Sequence, residues 1–380
     1  MPVAARHDAF SSSRQAETGR PTRRSGVLLE RAATLESSFS GVHRRLLEAG
    51  LAEAGGSALR APDAAGLSAP VAGGSATGGA TAPPLAGGNA SEPIQPYIKA
   101  KSSPESDAAF VTICSAVKDQ HADVREWIVY HRAIGVERFY LHDTGSVPPM
   151  DTVLPDFIES GLVHYRYDAA TPHRAGTHGP QITVYERCLE SGRVAHPWMA
   201  FIDVDEFVVL RDATPDFPTL LREFEDAGAL VLNWVVFGSS GLEKKPRTNT
   251  LASYWQCAPD GHPENLHVKS VVRPARVNDT RTDPHHFKYR APYVAKSAGG
   301  ETVAGPKSSR QATARVALHH YAIKSREEFG AKMARGSGMG NQKTMAFFHY
   351  VDNYTTANCD QAIDLGNHFA SWADYALPGY

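Results

Sequence analysis

Phe110-Val111-Thr112-Ile113-Cys114-Ser115-Ala116-Val117 and, further on, Arg138-Phe139-Tyr140-Leu141-His142 are the two segments whose reading decides the fold. Both are short apolar runs rich in β-branched and aromatic residues, the pattern of strands buried on both faces. Between them Asp123 and Glu126 form a D-x-x-E helix start. Trp127, Ile128, His131 and Ile134 follow at helical spacing, and Gly135 ends the run. Strand, helix, strand at these lengths is a β-α-β unit, which requires a parallel pair and a right-handed crossover. Working outward, the alternation continues. Helices are predicted around Asp151 to Ser160, Gln181 to Ser191 and Phe217 to Glu225, with another starting at Arg326. Strands are predicted at Leu162 to Tyr167, through Met199-Ala200-Phe201-Ile202, and at Leu230 to Phe237, His267 to Arg273 and Val316 to Tyr321. The expected class is α/β: a Rossmann-like, mostly parallel sheet with helices on both faces.

The composition bounds the rest. The 380 residues carry a formal net charge of −2, and without a basic surplus nucleic acid is an unsuitable main partner. Gly55 to Ser91 is mostly Gly, Ala, Ser, Pro and Thr, too poor in apolar surface to offset chain entropy. Residues 1–107 are therefore expected to form a low-complexity, disordered region, with an amphipathic helix over 28–53 that could dock on a partner or a membrane surface. The folded domain is expected over 108–350, with 351–380 as a C-terminal extension. No stretch reaches the roughly 18–20 consecutive apolar residues of a membrane span, and Met1 to Arg24 has no apolar core of a secretory signal. Peripheral membrane contact and a cytoplasmic location both stay open. The four cysteines, Cys114, Cys188, Cys257 and Cys359, form no C-x-x-C, and Cys114 and Cys188 read as core packing rather than a disulfide.

Chemistry concentrates at Asp203-Val204-Asp205-Glu206-Phe207, directly after the apolar run ending at Ile202. Strand alternation would turn Asp203 and Asp205 to one side, where their repulsion calls for a cation between them. Carboxylates suit Mg²⁺ or Mn²⁺, ions commonly shared with the phosphates of a nucleotide. Other polar residues close the predicted strands: Lys118-Asp119, Asp143-Thr144-Gly145-Ser146 and His319-His320-Tyr321. In open α/β sheets that rim is where ligands bind. His320, neutral, is a third candidate ligand, and Lys324 and Lys332 are candidate partners for a diphosphate. Asp143 could meet a ribose or base edge, or simply form a turn. Gly238-Ser239-Ser240-Gly241 would let backbone approach a ligand closely. Glu243 and Asp283 are candidate bases, both on polar stretches, with His285 and His286 beside the latter.

Taken in order, these pieces resemble glycosyltransferase family 92 from about Phe110 to Gly336. The resemblance rests on Glu126-Trp127, Tyr130-His131, His142-Asp143-Thr144-Gly145-Ser146, Gln181 with Tyr185 and Cys188, and Phe201 to Phe207. It continues through Phe237 to Gly241, Lys269 to Pro274, His319-His320-Tyr321 and Lys324 to Phe329. It implies a GT-A-type nucleotide-sugar fold and inverting transfer of a sugar, galactose favoured, from a UDP-sugar to a glycan acceptor with a divalent cation, Mn²⁺ or Mg²⁺. By position, Asp203 and Asp205 would be the metal motif, His320 a further ligand, and Asp143, Lys118, Gln181, Lys324 and Lys332 donor contacts. It also implies a Golgi or other membrane-associated compartment. Lys118-Asp119-Gln120 departs from the usual Lys-Asn-Glu, and Thr144 from Asn. The readings held against this one are a haloacid-dehalogenase-like phosphatase with Asp203 as nucleophile, a non-catalytic sugar-binding or scaffold protein, and, more distantly, a binuclear metallohydrolase.

Overall fold

The computed structural model describes residues 97–99, 108–168, 179–278, 283–336 and 342–369. The predicted amphipathic stretch 28–53 and the Gly/Ala/Ser-rich segment lie outside the described residues.

Eleven described strands form one mixed sheet, in the order β1 (Tyr97–Lys99), β4 (Val163–Tyr167), β3 (Arg138–Asp143), β2 (Val111–Val117), β5 (Trp198–Phe201), β9 (Val268–Val272), β7 (Ala229–Val236), β10 (Ala295–Ser297) and β11 (Thr302–Val303). From β7 the sheet also branches to β12 (Val316–His320), which pairs in turn with β6 (Glu206–Leu210). The run β4-β3-β2-β5 is parallel, as the β-α-β reading requires. Beyond it the sheet reverses, because β9 is antiparallel to both β5 and β7. Two reversals restore the direction, so β7 points the same way as β5, and β12 runs parallel to β7. A separate two-stranded sheet joins β8 (Gln256–Cys257) to β13 (Ala357–Asn358).

The helices follow the apolar periodicity. α1 (Val124–Ala133) buries Trp127, Ile128 and His131 and ends before Gly135, whose φ of +102° only glycine adopts without strain. The expected capping box at its start does not form. Asp123 gives α1 no side-chain cap, and Glu126 instead accepts from the Thr250 N–H and hydroxyl at 2.8 and 3.0 Å. α2 (Pro155–Glu159) is shorter than predicted because a 3₁₀ turn, Met150–Val153, takes the first part of the segment. α3 (Gly179–Gly192) lays Val184, Tyr185, Cys188 and Leu189 into a core with Cys114, Met199 and Phe201 of β2 and β5. α4 (Phe217–Arg222) is capped by Asp216, which accepts from the Thr219 N–H at 2.8 Å. α5 (Thr250–Ser253) is a single turn. At α6 (Arg326–Arg335) the capping box does form, between Ser325 and Glu328. α7 (Met345–Tyr354) runs through position 351, and α8 (Asp360–Phe369) follows it.

The cysteine reading is overturned: Cys114 is bonded to Cys188, and Cys257 to Cys359. Burial in an apolar core does not distinguish a packed thiol from a bridged one, and that pattern was the only signal the residues carried.

Candidate active site

The reversals of the sheet decide where the site lies. β2, β3, β5, β7 and β12 all end at one edge, and β6 and β9 begin there. Register then selects the face. Glu206 lies opposite His320, Leu318 opposite Trp234, and Leu232 opposite Lys269. Because side chains alternate along a strand, Glu206, His320, Trp234 and Lys269 emerge from four adjacent strands on one face, at that edge.

The acidic pair hangs over this face from a turn. β5 stops at Phe201, β6 starts at Glu206, and the Glu206 N–H donates to the Asp203 carbonyl at 2.9 Å. Asp203 and Asp205 are therefore turn residues, and strand alternation does not set their directions, contrary to the sequence expectation. Partner side chains hold them. Asp203 accepts from Gln181 Nε2 at 2.7 Å and from Lys269 Nζ at 2.8 Å. Asp205 accepts from Lys332 Nζ at 2.6 Å, and the same ammonium donates to the Ala322 carbonyl at 2.8 Å. Beneath them Glu206 is fully buried. It accepts from the Asp203 N–H at 2.8 Å and from Trp234 Nε1 at 2.8 Å, with Lys269 Nζ at 3.4 Å.

The titration behaviour follows from this crowding. Burial pushes the Glu206 carboxyl up to about 8; Lys269 opposes the shift, and the charges of Asp203 and Asp205 add to it. Burial also acts on Asp205, but there the Lys332 ammonium and His320 prevail and hold the carboxyl well below the usual range. Burial takes the His320 imidazole down to about 3, against the pull of Asp205, so it is neutral at ordinary pH. Its Nδ1 is shut off from solvent with no hydrogen-bond partner among the described residues.

Other sequence candidates fall elsewhere. Asp143 is fully buried and saturated: Oδ1 accepts from Gly145 N and Ser146 N, and Oδ2 from Met150 N and the Tyr165 hydroxyl. The turn reading prevails, and no oxygen of Asp143 is left for a nucleotide. Lys324, in a left-handed conformation at φ +55°, is buried and paired with Asp123 at 3.2 Å. Burial lowers its pKa, and the carboxylates of Asp123, Glu126 and Glu328 more than compensate. It ties α1 to the start of α6 instead of presenting a free cation. Lys118 is half-buried just past β2. The close approach at Gly238 is to the end of α7, since a Cβ there would meet Thr355 Oγ1 at 2.0 Å. Glu243 is exposed on its loop beside Arg326 at 3.9 Å. Asp283 is nearer the face: its Oδ1 accepts from the His285 N–H at 2.7 Å, and the His285 ring sits 5.2 Å from that of Trp234.

Sequence reading assigned no role to Lys269 or Trp234. The signal was there for the lysine, a charged residue inside Val268-Lys269-Ser270-Val271-Val272, since a buried lysine requires a partner.

Among the described residues no three of His, Cys, Asp and Glu gather closely enough to cage a metal by themselves. A cation shared with phosphates does not need such a cage, because one or two carboxylates and the phosphate oxygens suffice. The unpartnered Nδ1 of His320, in the field of Asp205, is the one polar atom of this face left without a partner among the described residues.

A protein-family model described as Glycosyltransferase family 92 matches residues 110–336, and the chain belongs to that family. A glycosyltransferase family 92 protein of Ricinus communis is 28% identical over 187 residues, covering 47% of this chain and 31% of that protein. A galactan beta-1,4-galactosyltransferase, GALS2 of Arabidopsis thaliana, is 38% identical over 88 residues, covering 22% of this chain and 17% of its own. The chain thus spans about a third or less of the length of these curated relatives. Among solved structures, mannosyl-3-phosphoglycerate synthase from Rubrobacter xylanophilus aligns over 44% of this chain and 54% of its own, at 16% identity and a TM-score of 0.26, too slight a likeness to support an argument.

Proposed function

We propose that this chain transfers a sugar from a UDP-sugar to a glycan acceptor with inversion, assisted by Mn²⁺ or Mg²⁺, with galactose the favoured sugar. Family membership supports glycosyl transfer, and the galactan beta-1,4-galactosyltransferase match favours galactose. The single observation that carries the reading is the acidic turn, with Asp203 and Asp205 over a face that also offers Lys269, Lys332 and the unpartnered Nδ1 of His320. Asp203, Asp205 and His320 would hold the cation, which when bound neutralises charge developing on the departing diphosphate. Gln181 positions Asp203. Lys332, freed from Asp205, would meet phosphate oxygens, while the buried Lys269 stays with Asp203 and Glu206 and holds the turn in place.

Inversion is one in-line displacement. The acceptor oxygen bonds to the anomeric carbon as the bond to UDP breaks, and a base removes the hydroxyl proton. Asp283 suits that role better than Glu243, because it lies beside His285 at the rim of the face. Family membership leaves the phosphatase, scaffold and metallohydrolase readings without support of their own.

The test is a pair of variants, Asp203→Asn and Asp205→Asn, assayed for UDP release from UDP-galactose with Mn²⁺ and an oligosaccharide acceptor. Each should lower kcat/KM by about 100-fold or more. In calorimetry, each should also lose the cooperative binding of Mn²⁺ and UDP. Near wild-type turnover in either variant would refute the assignment.

A further inference from the structure

Asn353-Tyr354-Thr355 closes α7, and it is an N-x-T triplet, the acceptor motif for an asparagine-linked oligosaccharide. Such triplets are common, and two features of the structure give this one meaning. The first is the compartment. The chain has four cysteines, and all of them are bridged, Cys114 to Cys188 and Cys257 to Cys359. Paired cysteines form and persist in oxidising surroundings and are rare where thiols are kept reduced. The oxidising lumen of the secretory route is also where oligosaccharides are joined to asparagine. The second feature is exposure. Ala346, His349, Tyr350 and Asn353 are all exposed, at the spacing of one helix face. Phe348 and Val351, on the opposite side, are buried in a core with Val236 and Phe329. A glycan on Asn353 therefore projects into solvent and displaces nothing from that core.

The hydroxyl of the triplet is placed differently. Thr355 is buried, and its Oγ1 donates to the carbonyls of Val351 and Asp352, both at 3.1 Å. Asp352 holds the helix end down by accepting from the Ser239 N–H at 2.9 Å. A little further on, Cys359 is bridged to Cys257, and β13 pairs with β8. An enzyme that reads N-x-T must reach the hydroxyl as well as the amide. In the folded chain only the amide is open to it.

We propose that Asn353 carries an N-linked oligosaccharide, added before α7 docks and before Cys257–Cys359 closes. In the reaction Asn353 Nδ2 bonds to the anomeric carbon of an oligosaccharide as that carbon's bond to a lipid-linked diphosphate breaks. The diphosphate leaves with the electron pair, and the amide nitrogen gives up one proton. The proposal stands apart from the glycosyl-transfer reading, because here the chain is the acceptor. Two further triplets, Asn89-Ala90-Ser91 and Asn278-Asp279-Thr280, run into residues outside the described ones.

The test expresses the full chain behind a cleavable secretory leader in cultured animal cells. The peptide that holds Asn353 is read by mass spectrometry before and after treatment with a peptide N-glycosidase. The expected result is a glycan on Asn353 that is absent from Asn353→Gln, while the folded variant keeps the wild-type thermal melt of the deglycosylated chain. An unmodified Asn353 in the secreted wild-type chain overturns the proposal. So does an unmodified Asn353 in the chain isolated from its own cells. The order of events has its own measurement. Folded, bridged chain made without glycan is mixed with oligosaccharyl transferase and a lipid-linked oligosaccharide. Cys257→Ser leaves the triplet intact and frees the end of α7, so it should be modified about tenfold faster or more than the bridged chain. A thermal melt confirms that the variant is folded, and Cys359→Ser takes its place if it is not. Equal rates in the bridged and unbridged chains, zero included, overturn the order proposed.

Discussion

Lys269 is where the chemistry of this fold is most constrained. The residue is 1% exposed, and its ammonium has Asp203 at 2.8 Å and Glu206 at 3.4 Å. Burial alone would strip its proton, but the two carboxylates reverse that and raise its pKa well above the usual lysine value. The exchange is mutual, because Glu206 has no other cation within bonding distance among the described residues. Replacing the lysine with methionine keeps most of the stem volume but leaves Glu206 buried without a counter-charge. Breaking one side of a buried pair costs about 3–5 kcal/mol. Above about pH 8, where Glu206 is ionised, Lys269→Met should therefore lower the urea midpoint by that equivalent, and a loss there under about 1 kcal/mol would show that Trp234 and the Asp203 N–H satisfy Glu206 unaided. The same residue marks the limit of what residue types reveal. Asp203, Asp205 and His320 can be selected from their kinds and positions, yet Asp143 has the same kind of strand-end position and is consumed by its own turn. The difference lies in four donors that fill both its oxygens, two of them N–H groups of its own turn, with Met150 N and the Tyr165 hydroxyl arriving from further along the chain.

At the scale of elements, α6 links the fold to the site, because it carries Lys332 to Asp205. Its start is fixed locally. The Ser325 side chain accepts from the Glu328 N–H, and Glu328 reaches back to the Ser325 N–H at 3.3 Å. The Tyr254 hydroxyl joins the cap by accepting from the same N–H at 3.0 Å. Ser325→Ala should cost about 1 kcal/mol of stability, read as a shift in the denaturation midpoint, and no change would mean that Tyr254 and Glu328 cap the helix unaided. Signals of this local kind are what sequence reading recovers: the box at α6, the apolar face of α1, the parallel run from β4 to β5. It fails where two elements compete for one residue. Asp123 and Glu126 have the spacing of a helix start, but Lys324, Lys245 and Thr250 claim their oxygens. β6 was hidden because Asp203-Val204-Asp205 reads as the end of one strand when it is the turn between two. β9 was predicted as a strand, but the reversal it introduces depends on pairing partners and not on its own residues.

Over the whole molecule, stability against acid should come from groups that tertiary burial has displaced from their ordinary pKa. The two bridges, Cys114–Cys188 and Cys257–Cys359, span 74 and 102 residues, so each restricts the unfolded chain by about 4–5 kcal/mol in the loop-closure picture. That contribution does not vary across the acid range. His131 is different. It is fully buried, its Nδ1 pairs with the Trp127 carbonyl at 2.8 Å, and its Nε2 accepts from the Val208 N–H at 3.2 Å. Burial takes its pKa from 6.5 down to about 3. The unfolded chain therefore binds a proton below about pH 6.5 that the folded chain refuses until about pH 3, and stability contributed above 6.5 is lost as pH falls through that window. Asp123 acts later. Although burial opposes the shift, Lys324 and Lys245 hold its carboxyl at about 2, so its contribution is present above the unfolded value of 3.8 and lost between there and 2. Urea midpoints taken from about pH 7 to about pH 3 should fall first in the histidine window and then more steeply. His131→Gln should be less stable at pH 7, because it loses the fit to Trp127 and Val208, yet flatter between about pH 6.5 and pH 4. If the variant kept the wild-type slope across that interval, the proton uptake would belong to other groups and the role given to His131 would be wrong.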